Sequence, residues 1–180
     1  MASSVAVKAQ DFYHNIGIGY MAVLYNQEYS ISGSTGSYSG GAGGPGLVYN
    51  PMLAFDMSGS SSFVLAAYPL LGFALSSVEG ASSLAAELPI AAELFFGDLD
   101  DMGGFVGLGF NMGFAADGYY SGGTGGPQIS GGGQLYIADQ LLKARIGYTL
   151  GVIKDSSDSA GFTKDSRSII SLGLLYQLGQ

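Results

Sequence analysis

Apolar side chains occupy every second position over long parts of this chain. In residues 105–117 the even positions are all apolar, and the odd positions after Phe105 are small or polar. Because a strand points successive side chains to opposite faces, this pattern predicts a strand with one oily face and one small or polar face. Three further segments alternate as clearly: residues 15–24, 142–152 and 170–179.

Four other segments carry a weaker form of the same alternation, at residues 47–58, 62–77, 84–97 and 129–138. The total is eight strands, an even number, as bacterial single-chain barrels require. Pro51, Pro69 and Pro89 lie inside three of these segments. Since proline cannot donate a ladder hydrogen bond, the sequence predicts bulges or strand breaks at these positions.

The connections between these segments alternate in length. Long connections follow predicted strands one, five and seven. Those at residues 32–46 and 118–128 are rich in Gly, and the one at residues 155–166 is polar. Short turns follow the even-numbered strands. Outer membrane barrels combine short periplasmic turns with longer outer loops, so this asymmetry favours that class and places both termini on the periplasmic side.

The composition favours a surface that contacts lipid. Charged residues make up 11% of the chain, against about 25% in soluble domains. No run of about 18 apolar residues predicts a membrane-spanning helix, and a chain that crosses a bilayer without helices must form a closed barrel. The fold predicted is an all-β, antiparallel, up-and-down transmembrane β-barrel of about eight strands in a bacterial outer membrane, with membrane lipid as its main partner.

Several charged residues fall on the face opposite to the apolar one. Asp56, Glu87, Glu93, Lys143 and Arg145 are therefore predicted to point into the barrel. Buried charges are costly unless they are paired, so we expect a salt-bridged plug that joins Glu87 or Glu93 to Arg145 or Lys143. Eight strands leave room inside for side chains or one small ligand, so a broad channel is not expected. The plug either holds the barrel together or forms a gated polar path or small ligand site.

Residues 1–10 are interpreted as a signal-peptide remnant, because Val7 and Ala9 fit the small-residue pattern before a cleavage site. An ordinary disordered tail is the alternative. Residues 11–180 are then a single barrel domain. Exposed loop tyrosines at Tyr38, Tyr119 and Tyr120 are candidates for contact with another surface or periplasmic protein, or for packing onto the barrel rim.

Catalytic and cofactor chemistry is poorly represented. The chain has no cysteine and one histidine, His14, which we interpret as a strand-end residue. The acidic run at residues 98–101 lacks the spacing of a calcium-binding loop and is interpreted as a solvated turn. The net charge is −8 and the six Lys and Arg residues form no cluster, so nucleic-acid binding is not expected. No cofactor is predicted.

One segment resembles a known family. Residues 84–118, LAAELPIAAELFFGDLDDMGGFVGLGFNMGFAADG, resemble the outer membrane β-barrel domain common in Bacteroidetes, which includes PorT-like proteins and small eight-stranded barrels like OmpA and OmpX. The resemblance rests on two motifs, with matches at Glu87, Leu88, Pro89, Phe96 and Gly97, and at Gly104, Phe105, Gly107 and Gly109. It implies the fold and an outer membrane location, accounts for Pro89, and says little about function.

Four functions are consistent with these patterns. The first is a non-enzymatic outer membrane barrel that is structural or interacts through its outer loops. The others are a narrow pore or carrier for a small solute, a soluble ligand-binding barrel like a lipocalin, and a barrel enzyme that acts on lipid. Alternation alone does not tell the inside of a barrel from the outside. The low charge content and the connection lengths favour the membrane.

Overall fold

A computed structural model describes residues 8–31, 34–58, 60–76, 82–116, 121–151, 153–158 and 161–179. Among these residues, no helix is long and apolar enough to cross a membrane. The described chain forms ten strands: β1 Lys8–Ile31, β2 Ser34–Ser58, β3 Ser61–Ala67, β4 Leu70–Ser76, β5 Ser82–Gly97, β6 Gly103–Ala116, β7 Ser121–Ile137, β8 Gln140–Thr149, β9 Ile153–Asp158 and β10 Gly161–Gly179.

The strands close into an antiparallel ring of eight. β3 and β4 together form one barrel strand between β2 and β5, and β9 extends the line of β8 along β10. β1 pairs with β2 on one side and with β10 on the other, which closes the ring. The predicted antiparallel up-and-down barrel is therefore confirmed.

Apolar side chains cover the outside of the barrel and charged ones are buried inside it. Leu108 is 70% exposed, whereas Lys143 is 3% exposed. A soluble barrel of the lipocalin kind would have the opposite arrangement, so that alternative is wrong. The outward apolar side chains form a belt, which includes Ile18, Leu47, Leu71, Phe73, Ile90, Leu108, Phe110, Ile146, Leu172 and Leu174. An exposed apolar surface of this extent is stable in contact with lipid chains.

Three connections that were predicted to be long loops contain strand instead. β2 begins at Ser34, β7 at Ser121, and β9 and β10 cover most of residues 155–166. The prediction was wrong because it followed side-chain alternation, which is absent where both faces of a strand carry polar residues or glycines. Backbone hydrogen bonds do not need that alternation, and the β1–β2 ladder continues to the pair Ile31 and Ser34.

Of the three prolines at which the sequence predicted a bulge or break, only Pro69 lies at one. The prediction was wrong for Pro51 and Pro89, because β2 and β5 continue through them and only the strand between β2 and β5 is interrupted. Pro69 lies in the break between β3 and β4, and Pro89 lies opposite it in β5. The carbonyls of both prolines still accept backbone bonds, from Tyr49 to Pro69 at 3.1 Å and from Tyr68 to Pro89 at 2.9 Å. Proline therefore removes donors here while its acceptors stay paired.

The first residues of the chain lie largely outside the described part. Residues 1–7 are not described, and β1 begins at Lys8, inside the segment interpreted as a signal remnant. The signal-remnant interpretation remains a prediction.

Close contact between β1 and β10 requires glycine at Gly17. A Cβ atom there would overlap the backbone carbonyl oxygen of Leu174, whereas a Cβ at Gly173 would meet no atom nearer than 3.9 Å. We expect Gly17→Ala to lower the free energy of unfolding by about 1–3 kcal/mol, since overpacking forces the backbone to move. Gly173→Ala is the matched control and should cost nothing measurable. Urea unfolding in lipid vesicles measures both, and equal effects would contradict this account.

Candidate functional site

An ion pair crosses the interior of the barrel. Glu93 points inward from β5 and Lys143 from β8, and their Oε2 and Nζ atoms lie 3.2 Å apart. Both side chains are almost completely buried. β5 and β8 are not neighbours in the sheet, so the pair joins two separate parts of the wall. It is one of the pairings that the sequence pattern predicted.

Tyr68 completes this ion pair. Its hydroxyl donates to Glu93 Oε1 at 2.6 Å and accepts from Lys143 Nζ at 2.8 Å. The ammonium group also lies 3.1 Å from the sulfur of Met52 and 4.3 Å from the ring centre of Phe105. Lys143 therefore has a carboxylate, a hydroxyl and aromatic faces around it, which together replace the water that it loses on burial.

The second cationic group, Arg145, packs on the same tyrosine. Its guanidinium carbon lies 4.0 Å from the centre of the Tyr68 ring. Its Nη2 donates to Gln128 Oε1 at 2.7 Å, and its Nη1 lies 3.5 Å from Ser171 Oγ. Planar stacking and directed hydrogen bonds are the contacts for which guanidinium is better suited than ammonium.

Glu87 is held by an amide network. Asn111 Nδ2 donates to Glu87 Oε2 at 3.0 Å and also lies 3.0 Å from Thr149 Oγ1. Gln128 Nε2 donates to the same threonine oxygen at 3.2 Å. We call the connected buried set the polar core; its members are Tyr68, Glu87, Glu93, Asn111, Gln128, Lys143, Arg145, Thr149 and Ser171. Its formal charges are two positive and two negative.

Apolar side chains flank the polar core along the barrel axis. Toward the tight turns, the next inward residue after Glu93 is Phe95, which packs with Leu99 and Phe105 in the apolar interior. Toward the opposite end, the next inward residue before Ser171 is Ile169, which is fully buried. A cavity of about 10 Å³ remains beside Arg145, enough for at most one water molecule. The interior is therefore filled along this part of the axis.

Asp56, which was predicted to join the interior network, does not lie in the polar core. It is exposed, and its carboxylate accepts a long hydrogen bond of 3.3 Å from Ser62. The reason is its position close to the β2–β3 turn, where the inward face opens to solvent. It lines an open cavity of about 280 Å³, together with Asp11, Asp98 and Asp100 among others. In the described part of the chain, no group of three or more His, Asp or Glu residues is arranged to hold a metal ion.

Two other sequence predictions concern aromatic residues. Tyr38 lies in β2 and not in a loop, is 43% exposed, and has its ring centre 5.9 Å from that of Tyr25. Tyr119 and Tyr120 lie outside the described residues. Partner contact through these tyrosines remains a prediction.

The single histidine is on the lipid-facing side of the wall. The Nδ1 atom of His14 is hydrogen-bonded to the hydroxyl group of Tyr49. Its ring also meets the ring of Phe12 edge to face at 4.5 Å. This arrangement lies outside the barrel, away from the polar core.

Sequence reasoning missed the central member of the core, Tyr68. The signal was present, because Leu65 and Leu71 face outward and every even position between them must then face inward. The Tyr68–Pro69 break obscured this parity. Gln128 was missed because it was assigned to a loop. It lies in β7, where it faces inward like Gln134, and both side chains are buried.

The closed ring, the apolar belt and the filled interior define a small outer membrane β-barrel. The chain is similar in structure to outer membrane protein OprG from Pseudomonas aeruginosa, with a TM-score of 0.53, 12% sequence identity, and coverage of 93% of this chain and 96% of OprG. It is also similar to outer membrane protein AlkL determined in DMPC lipid bilayers, with a TM-score of 0.50, 14% identity, and coverage of 100% and 98%. No family model and no curated protein sequence matches the chain. The fold is that of bacterial outer membrane β-barrels.

Proposed function

We propose that the protein is a closed, non-conducting outer membrane barrel, without enzymatic activity, that acts as a structural element or through the parts that project from the membrane. The observation that carries the proposal is the filled interior. The Glu93–Lys143 pair with Tyr68 spans the lumen, and apolar side chains flank it. An eight-stranded barrel holds little more than its own side chains, which agrees with this arrangement.

The absence of enzymatic activity is supported by the place of His14. Catalysis by a histidine with a serine or acidic partner needs the histidine within hydrogen-bond reach of the reacting group. The His14 ring is instead bonded to Tyr49 on the lipid-facing wall. Membership of the Bacteroidetes PorT-like group and a periplasmic position for the tight turns belong to the same proposal, and they rest on the sequence patterns alone.

Conductance across a planar lipid bilayer tests the proposal. We expect the wild-type barrel to give no single-channel steps in concentrated KCl, because buried side chains fill the polar core and leave a cavity of only about 10 Å³ beside Arg145. The double variant Tyr68→Ala, Arg145→Ala removes the stacked pair at the centre and should give small, steady steps. Tyr68→Phe and Arg145→Lys retain most of the volume and serve as matched controls that should remain silent.

The outcome that contradicts the proposal is steady conductance by the wild-type barrel that changes in Arg145→Lys. That result would favour the narrow pore or carrier. Heat-modifiable migration on a gel shows for each variant that the barrel has folded before it is recorded.

A further inference from the structure

One sheet continues beyond the apolar belt at the end opposite the tight turns. It consists of β2 residues 34–41, β1 residues 24–31, β10 residues 161–167 and β9 residues 153–158, paired in the order β2-β1-β10-β9. We call it the projecting sheet. At about 3.3 Å per residue it extends roughly 20 Å along the strand direction. Its sequence shows no apolar alternation, as expected for a sheet outside the lipid.

The outer edge of β2 in the projecting sheet has no strand beside it in the described chain. The β2–β4 ladder ends at the pair Ala42 and Ser76, and from Gly41 to Ser34 the only described partner of β2 is β1. An edge of this kind presents a row of backbone N–H and C=O groups that another extended chain can pair with.

The outer edge of β2 has none of the features that usually protect an exposed edge. β2 has neither charge nor proline in the eleven residues STGSYSGGAGG from Ser34 to Gly44. Natural proteins protect exposed edges with charges, prolines or bulges. The β2 edge has no charge and no proline along this segment.

Two tyrosine rings of β1 cover glycines of the β2 edge. A Cβ atom at Gly36 would overlap the ring of Tyr29, and one at Gly40 would overlap the ring of Tyr25, so both rings lie directly against the glycine backbone. Aromatic rings that cover glycines in this way fix the register of a strand pair. Because β2 is already paired with β1, its edge is preformed, and less conformational entropy is lost when another strand binds to it.

We propose that the outer edge of β2, residues 34–41, binds an extended, uncharged peptide segment of another protein by β-strand addition. Backbone hydrogen bonds give such binding its strength, and the side chains beside the edge give it selectivity. Ser37 and Ser39 on one face are small and leave room for bulky side chains of the added strand. Tyr38 on the other face is exposed and offers an aromatic contact.

A second copy of the chain is a poor occupant for this edge. Two identical edges pair symmetrically when their strands run antiparallel, about a two-fold axis perpendicular to the strands. Two barrels in one membrane stand the same way up, so their β2 strands run in the same direction. A segment of a different chain has no such restriction.

Amide hydrogen exchange, measured by NMR on the barrel in lipid nanodiscs, tests the proposal. The probe is a synthetic eight-residue peptide in which threonine and valine alternate. Without peptide, every second amide of residues 34–41 should exchange fast, because its N–H points away from β1. Saturating peptide should slow those amides by at least about tenfold and leave β8 unchanged. A peptide of the same sequence with a methylated backbone retains the side chains and should have no effect.

Proline at two neighbouring positions supplies a matched pair within the protein. The N–H groups of Ser37 and Tyr38 point to opposite edges, so only one of Ser37→Pro and Tyr38→Pro removes a bond to β1. The proline variant at the fast-exchanging position should leave the slow amide exchange of the β1–β2 ladder unchanged. It should weaken peptide binding at least about tenfold. Unchanged exchange with the probe, an equal effect of the methylated peptide, or edge protection that rises with barrel concentration alone would each overturn the proposal.

Discussion

Replacement of Lys143 by methionine should lower the free energy of unfolding by about 3–5 kcal/mol, the cost of leaving one partner of a buried ion pair alone. Glu93 would keep the hydrogen bond from Tyr68, which is 2.6 Å long, but would lose the one positive charge that the described residues place within 4 Å of its oxygens. Methionine has a similar length and fills the space against Phe105, so little of the loss comes from packing. Urea unfolding of the barrel in lipid vesicles measures the change.

The double variant Lys143→Met, Glu93→Gln separates charge from shape. Glutamine retains an oxygen that can accept from the Tyr68 hydroxyl, and the pair of substitutions leaves no buried charge uncompensated. We expect it to recover most of the stability lost in Lys143→Met. A double variant as unstable as Lys143→Met would mean that the two residues contribute through packing alone, and would contradict an ion pair that stabilises the barrel.

The membrane-spanning part of the fold was predictable from the sequence because one rule governs it. In residues 105–114 the side of the wall that each residue faces follows from its parity, and Leu108 and Phe110 are exposed as that rule requires. Lipid on one side and a filled lumen on the other impose the alternation on every strand. The same rule put Glu93 and Lys143 inside, and the structure was needed only to select this pair from the four pairings that the pattern allowed.

The rule gives no signal where polar residues or glycines occupy both faces of a strand. Residues 34–46 appear as a loop in the sequence because no alternation remains, yet they continue β2 through backbone bonds alone. Asp56 obeys the parity but lies so near a turn that the inward face is wet. Tyr68 obeys it too, and was missed because the strand break at Pro69 interrupts the count.

Arginine at Leu108 should destabilise the barrel by about 2–4 kcal/mol, the cost of a cation at the middle of the bilayer on the lipid face. Leu108 lies near the centre of β6 and is 70% exposed in the absence of lipid. Leu178, the last residue but one of β10, is also outward and exposed, and lies at the belt margin by the tight turns. Arginine there should cost about 0–1 kcal/mol, because its guanidinium reaches the headgroups.

Leu108→Arg and Leu178→Arg introduce the same side chain at two exposed, outward positions. The comparison therefore measures the effect of depth in the bilayer. Leu108→Ala shows how much of the effect is lost apolar surface. Both arginine variants are to be unfolded by urea in lipid vesicles and again in detergent micelles. Because a micelle thins and deforms around a charge, the difference between the two positions should shrink there. Equal costs at the two positions in vesicles would contradict a belt centred on Leu108, and with it the assignment of this wall to the hydrocarbon core of a membrane.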